Sequence, residues 1–423
     1  MTKEKIKVLT LSDHPMLPSG VGTQTKYIIE ALLKSGKFQI MSLGGAIKHP
    51  DYTPTRTEEY GDDWIIIPVD GYGSAERIRQ VLLSFKPDIL YFMTDPRFYE
   101  WLWNMEDEIR ENVPMVYYHV WDNYPAPLFN KPWYESNDFI ASISKVTSNV
   151  VREVAPEVEG RYIPHSVNTD HFINLSNSAE GRSIVRSARE DNPATKDKFI
   201  FFWNNRNARR KQSGSIIFWF KKFLDKVGHD KACLLMHTET NDPNGQPLEH
   251  LVDYLGLGDG QVIFSKSKVA PEQLSIMYNM SDCTINISDA EGFGLATLES
   301  LSCETPIIVN MTGGLQEQVT DGKNWFGIGI EPKSSSIIGS LTVPYIREDR
   351  INEDDFVDAL YQMYSMPEEE RKKLGKAGRK HVMENYNFED FKKTWVDTML
   401  EVHEKYGSWE TRKKYKKWEL LEI

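Results

Sequence analysis

Cysteine is scarce. The 423-residue chain has three, Cys233, Cys283 and Cys303, far apart and with no Cys-x-x-Cys. That excludes a disulfide framework or a zinc cluster and fits a reducing compartment. Long apolar runs are also missing. None approaches the roughly 20 residues of a membrane helix, and the opening MTKEKIKVLTLSDHP holds an apolar run too short for a signal peptide. The expectation is a cytoplasmic protein with no stable membrane insertion. Positive charge is in deficit, with 50 Lys and Arg against 62 Asp and Glu, a net charge of −12. Residues 1–165 hold 17 basic and 23 acidic side chains and the remainder 33 and 39, so each part carries −6. A chain built to coat nucleic-acid backbones clusters Lys and Arg instead. No Asp-x-Asp, no short-period repeat and no low-complexity tract occurs.

What is present is core-forming material: 40% hydrophobic and 12% aromatic residues, enough for about two or three domains. Short apolar runs alternate with helical patterns. Strands are predicted at 6–11, 38–44, 64–69, 88–93, 115–120 and 139–144, and helices at 25–36 and 74–86. The segment 161–183 is polar and turn-rich and reads as a linker. A second series follows, with strands at 198–205, 231–239, 261–265, 283–288 and 305–310 and helices at 215–228, 248–257, 271–281 and 295–303. The stretch 333–355 reads as an irregular insert before a helical end. Nearly all-apolar strands alternating with helices imply an α/β protein of two Rossmann-like, doubly wound domains. In such sheets ligands bind at the carboxyl ends of the strands, and two such domains would face a cleft.

Four strand-to-helix loops carry candidate chemistry. In SDHPMLPSGVGTQTKY (12–27), Gly20 and Gly22 let backbone approach a ligand at a helix N-terminus, or simply make a tight turn. Thr25 stands where a dinucleotide fingerprint needs its third small residue, which disfavours a nicotinamide site. In SDAEGFGLATLESLSCETPIIV (288–309), Glu291 sits in the loop and the N–H groups around Phe293, Gly294 and Leu295 open toward a phosphate. Glu299, inside the following helix, suits a ribose diol or sugar hydroxyls, or is a first-turn acid favoured by the helix dipole. Residues 204–222 contain six basic side chains and no acid, a local exception in an acidic chain. Arg206 and Lys211 there suit a diphosphate, whereas Lys221 and Lys222 read as a solvated face. His119 ends the strand of MVYYHV, either a core histidine satisfied by a neighbour or a group aimed at ligand. Trp101, Trp103 and Trp121 read either as sugar-stacking rings or as core filling.

Those residues resemble the retaining glycosyltransferases of family 4, with the GT-B fold. Glu291 and Glu299 match a Glu–x7–Glu signature, followed by Cys303-Glu304-Thr305-Pro306 with Glu304 where Gly is usual. LSDHPMLPSGVGTQTKY resembles the N-terminal Gly loop, and RYIPHSVNTDHF the interdomain segment with His165 and Ser166 replacing Asn and Gly. NNRNARRKQ resembles the Arg–x4–Lys element with Gln212 in place of Gly, TGGLQEQVTDG the Gly-Gly loop, and MENYNFEDFKKTW the late helix–turn–helix. The resemblance implies domains at 1–165, joined by a C-terminal helix of about 396–423 that crosses back, and at 166–395.

It further implies sugar transfer with retention from a nucleoside-diphosphate sugar, UDP- or GDP-linked. Glu299 would bind the ribose, Glu291 the transferred sugar, and Phe293–Leu295 the phosphate. Arg206 and Lys211 would neutralise the leaving diphosphate, and His119 would face the sugar. Gly20 and Gly22 would approach donor or acceptor, and the stretch around Ser265–Val269 would meet the nucleobase. With no Asp-x-Asp, fixed cations replace a metal, so no metal and no cofactor are expected. The acceptor stays open among sugar, lipid-linked, small-molecule and modified DNA-base classes, as does an inactive nucleotide-sugar-binding relative. SWETRKKYKKWEL (408–420) reads as a terminal amphipathic helix that leaves peripheral membrane contact open, and SIIFWFKKFLDKVG (215–228) as a core helix rather than a membrane-surface one.

Overall fold

The computed structural model describes residues 4–416. The chain forms two compact units, one of Met1–His165, Gly339–Tyr345 and Glu389–Ile423, the other of Ser166–Ile338 and Ile346–Phe388.

The first unit is built on eight strands: β1 Ile6–Asp13, β2 Phe38–Gly45, β3 Thr55–Arg56, β4 Trp64–Pro68, β5 Ile89–Met93, β6 Met115–His119, β7 Phe139–Ser142 and β8 Gly160–Tyr162. Their order is β3-β4-β2-β1-β5-β6-β7-β8, parallel throughout except for the β3 edge. Every residue of β5 (ILYFM) and β6 (MVYYH) is buried, as a parallel sheet covered on both faces requires. Val8 sits opposite Ile40 on one side and Ile89 on the other. The order reverses direction beside β1, so the loops after β1 and β5 open at a topological switch point.

The second unit has a six-stranded parallel sheet: β9 Phe199–Asn204, β10 Ala232–His237, β11 Val262–Ser265, β12 Cys283–Asn286, β13 Ile307–Asn310 and β14 Gly327–Ile330, in the order β11-β10-β9-β12-β13-β14. Here the switch point falls between β9 and β12. The helix Ser213–Val227 buries Ile216, Ile217, Phe220, Phe223 and Leu224 completely against Phe201 and Trp203. That spacing is one apolar stripe at helical period, and it makes this a core helix. No helix among the described residues is long and apolar enough to cross a membrane.

Several expectations need correction. The insert 333–355 contains an antiparallel hairpin, β15 Ser334–Ile338 with β16 Ile346–Arg350, and then the helix Glu353–Ser365. The expected linker 161–183 includes the end of β8 and the start of a helix, Ala179–Glu190, capped by Ser178. The first helix begins at Gly20 rather than Thr25, because the Ser19 hydroxyl accepts from the Gly22 N–H and caps it. Gly339–Tyr345 and Glu389–Trp395 group with the first unit instead of the second. The cause for the latter is visible: Trp395, fully buried, packs edge-on to Tyr91 and Tyr118 at 5.6 and 4.8 Å between ring centroids. Finally, the helix Phe388–Tyr406 stops at Gly407, whose φ is +60°. Residues 408–416 are therefore a short 3-10 turn and coil, and the remainder of the expected tail helix lies outside the described residues.

Candidate functional site

Three loops of the second unit leave the carboxyl ends of β9, β12 and β13 around its switch point. The β9 loop brings in Lys211 and the β12 loop Glu291, and the two form a buried ion pair. Burial alone would raise the Glu291 carboxyl; the Lys211 and Arg210 charges outweigh it and hold that carboxyl below its ordinary value. The Asn286 amide donates to the same carboxylate at 3.4 Å, and the Arg210 guanidinium donates to the Ala290 carbonyl.

Gln212, next in the chain, is left-handed at φ +57°. Its amide donates to Asp289 at 2.6 Å while its carbonyl oxygen accepts from the Ser215 hydroxyl. Asp289 is pushed up to about 6, first by burial and further by the neighbouring Glu348, against the Gln212 bond.

Strand β16 braces these loops. The Asp349 N–H donates to the Asp289 carbonyl at 2.8 Å, and the Asp349 carbonyl accepts from the Asn310 amide at 2.7 Å. The Asp349 carboxylate accepts from the Thr312 hydroxyl at 2.9 Å, while buried Glu348 pairs with Arg209 and Arg350.

Gly294 starts the helix Leu295–Ser302 at φ +92°, and a Cβ there would lie 2.6 Å from Leu315. No side chain caps this helix, so its first N–H groups remain available at the positive end of its dipole. Phe293 is buried, its ring edge-on to Tyr386 and its carbonyl accepting from the Gln318 amide at 2.7 Å. Leu295 is partly exposed, and the Gly314 N–H bonds the Glu291 carbonyl at 2.9 Å. Glu299 accepts from the Tyr278 hydroxyl at 2.6 Å, and that hydroxyl accepts from the Asn204 amide at 2.9 Å. Burial pushes the Glu299 carboxyl up to about 7, with the Tyr278 bond opposing.

Lys211 and Glu291 are thus brought into contact, whereas Arg206 and Glu299 bond elsewhere. Arg206 is exposed and forks onto Asp242 at 2.6 and 3.1 Å. Lys221 and Lys222 form surface pairs with Asp225 and Glu353. In the first unit His119 is fully buried, with Nε2 2.5 Å from the Tyr134 hydroxyl and Nδ1 without a partner. Burial lowers it to about 3, so the ring is neutral at physiological pH. Gly20 opens a helix whose N-terminus, unlike that at Leu295, is already capped by Ser19. A Cβ on Gly22 would meet the Leu17 carbonyl oxygen at 2.9 Å. Trp103 and Trp121 are buried, which settles them as core filling, and Trp101 is partly buried.

Sequence spacing missed Tyr278, Asp289 and the β16 brace. Asp289 stands two residues before Glu291, but its partners Gln212 and Glu348 are remote in sequence; the β16 brace comes from a distant part of the chain, and the Tyr278 position, on a helix beside the Glu299 helix, left a trace in the periodicity of 271–281.

Residues 185–381 match the family described as "Glycosyl transferases group 1". That match holds the Lys211–Glu291 pair, Glu299 and the uncapped helix. A D-inositol 3-phosphate glycosyltransferase of Corynebacterium jeikeium is 27% identical over 187 residues, 42% of this chain and 43% of that protein. The chain spans less than half the length of the curated relatives it matches. The fold is shared with the sucrose-phosphate synthase of Thermosynechococcus elongatus, with TM-score 0.72, 16% identity and coverage of 95% and 100% of the two chains. Anabaena HepE, in complex with UDP and glucose, gives TM-score 0.67, 12% identity and coverage of 93% and 99%. These neighbours are GT-B glycosyltransferases, and two Rossmann-like α/β units are the architecture seen here.

Proposed function

We propose that the chain is a retaining, metal-independent glycosyltransferase that moves a hexosyl group from a nucleoside-diphosphate sugar to a hydroxyl acceptor. The observation that carries this reading is the meeting of Lys211, Glu291 and an uncapped helix N-terminus at the switch point of the second sheet. The named activities of the Corynebacterium and Thermosynechococcus proteins, and the UDP and glucose bound to HepE, support the donor class.

In the proposed reaction the bond from the anomeric carbon to the diphosphate oxygen breaks as the acceptor oxygen bonds to that carbon on the same face. The acceptor proton goes to the departing phosphate. Charge grows on the diphosphate, so fixed positive groups already in place lower the barrier most. Lys211 supplies one, the N–H groups of Phe293–Leu295 supply dipoles, and Arg206 a second cation once it leaves Asp242. Glu291 accepts hydroxyls of the transferred sugar and keeps Lys211 ionised and placed. Glu299 accepts the ribose diol. His119, neutral and fully buried against Tyr134, reaches the sugar only if the end of its strand opens, and Gly20 and Gly22 keep the first loop close to ligand.

The test is a donor screen. The chain is incubated with UDP- and GDP-sugars in chelator, and nucleoside diphosphate release is measured together with the anomeric configuration of the product. Release from at least one donor, undiminished by chelator and with the α-anomer kept, supports the reading. No release from any donor, an inverted product or a metal requirement overturns it.

A further inference from the structure

Arg206 does not stand free beside the β9 strand; a neighbouring loop of the second unit holds it. Residues 238–247, TETNDPNGQP, follow β10 and are tied to the β9 loop through fully buried Asn207. The Asn207 amide nitrogen donates to the Gln246 carbonyl at 2.7 Å and to the Thr240 carbonyl at 3.3 Å. Its amide oxygen accepts from the Ser213 hydroxyl at 2.7 Å and from the Gln246 N–H at 3.3 Å. The Arg209 N–H adds a bond to the Asn244 carbonyl at 2.9 Å. Gly245 makes this approach possible, since a Cβ there would lie 2.1 Å from the Asn207 carbonyl oxygen.

Asp242 is held by its own turn, independently of Arg206. Its Oδ1 accepts from the Asn244 N–H at 2.8 Å and from the Asn244 amide at 3.2 Å. The Asp242 side chain is 10% exposed, against 64% for Arg206. The fixed member of the pair is therefore the acid, and the movable one is the cation. Arg206 gives the acid its Nε and Nη2 edge, while Nη1 has no partner among the described residues. An arriving anion can bond Nη1 first and then displace the carboxylate, so the guanidinium is handed over without being left bare.

Protonation does not open this pair. The Arg206 fork, ahead of the Asn244 bonds, holds the Asp242 carboxyl down to about 2, so it stays ionised at physiological pH. A competing anion has to open it. With the cation in solvent the exchange costs little. A diphosphate outbids a carboxylate for a guanidinium fork, and it gains further charge as its bond to a sugar breaks. An interaction speeds a reaction only when it is stronger in the transition state than with bound substrate. We propose that Asp242 is the positioning residue for Arg206: it withholds the guanidinium from the bound donor and yields it to the charge that grows on the leaving diphosphate. This rests on the glycosyltransferase reading for the words donor and leaving; the exchange itself needs only a multiply charged anion.

Calorimetry on the full chain with pyrophosphate, UDP and GDP, in chelator, tests the exchange without turnover. Asp242→Asn keeps an oxygen for the Asn244 N–H and removes the charge. It is expected to bind pyrophosphate and at least one of the nucleotides about fivefold tighter than the parent. In an Arg206→Gln background the same substitution is expected to change nothing, which separates the release of Arg206 from the loss of one surface acid. Where turnover is measurable, Asp242→Asn lowers the donor KM and leaves kcat equal or lower. Thermal unfolding of each variant checks folding. The proposal is overturned if Asp242→Asn binds no tighter than the parent, if the gain persists with Arg206→Gln, if kcat rises, or if no probe binds. A gain that needs Arg206, in a chain that turns over no nucleotide sugar, leaves the exchange standing and sinks the glycosyltransferase reading. Turnover with an unchanged donor KM in Asp242→Asn does the reverse.

Discussion

Lys211 and Glu291 stand 80 positions apart in the chain and neutralise each other in the interior of the second unit. Removing one charge of a buried pair leaves the other uncompensated and costs about 3–5 kcal/mol, whereas replacing both is close to neutral. Lys211→Met should therefore lower stability by roughly that amount, and Lys211→Met with Glu291→Gln should recover most of it. On the proposed reaction, turnover should stay down by about 100-fold or more in both, because the charge that would face the leaving group is gone. Urea unfolding and initial rates on the two proteins separate the effects; recovered turnover in the double variant would make the pair purely structural.

Glu299 should give donor binding a pH step. Its carboxyl, at about 7, is protonated below neutrality and then no longer a charged acceptor for a diol. The donor KM should rise as pH falls through about 7, and Glu299→Gln should flatten that limb. Tyr278→Phe removes the bond that favours the carboxylate, so the step should move to higher pH. A step that stays in place in Tyr278→Phe would show that another group titrates.

Acid should destabilise the first unit before its carboxylates protonate. Buried His119 and His165 are both lowered to about 3 from an ordinary 6.5. Between those values the unfolded chain takes up protons that the folded chain refuses, so stability present above pH 6.5 is lost as pH falls toward about 3. Thermal unfolding from pH 7.5 to 4.5 should show a falling Tm, and His165→Gln should make the slope shallower. An unchanged slope in that variant would remove His165 from the account.

Two departures from the glycosyltransferase pattern, Gln212 and Glu304, occupy left-handed backbone at φ +57° and +64°. Glycine takes that conformation without Cβ strain, which explains its usual presence at those places. Glu304 compensates in part through the Asn174 amide, 2.7 Å from its carboxylate. Comparing Glu304→Gly with Glu304→Ala removes this bond from both. The glycine variant should be the more stable by about 1 kcal/mol, the reverse of the order inside a helix. Chemical denaturation reads the difference, and an alanine variant as stable as the glycine one would refute the strain.

Strands such as β5 and β6 were legible because burial on both faces demands uninterrupted apolar residues, and ILYFM and MVYYH have no other reading. The pair β15 and β16 was not, because Ser334–Ile338 is a mostly exposed hairpin strand with neither an apolar run nor strict alternation. In the candidate site, local spacing put Glu291, Gly294 and Glu299 on one loop and helix. It could not foresee what each side chain touches, since Lys211, Tyr278 and Asp349 arrive from separate strands and helices. Arg206 shows the limit: its charge and loop position were readable, its Asp242 partner 36 positions on was not.

Trp395, seated between Tyr91 and Tyr118, also sets an order of events during synthesis. The first unit's sheet emerges from the ribosome complete to β8 long before the helix Phe388–Tyr406 exists. Until then the Tyr91 and Tyr118 rings lack their cover, and a nascent chain halted anywhere before Trp395 displays that aromatic face to chaperones and proteases.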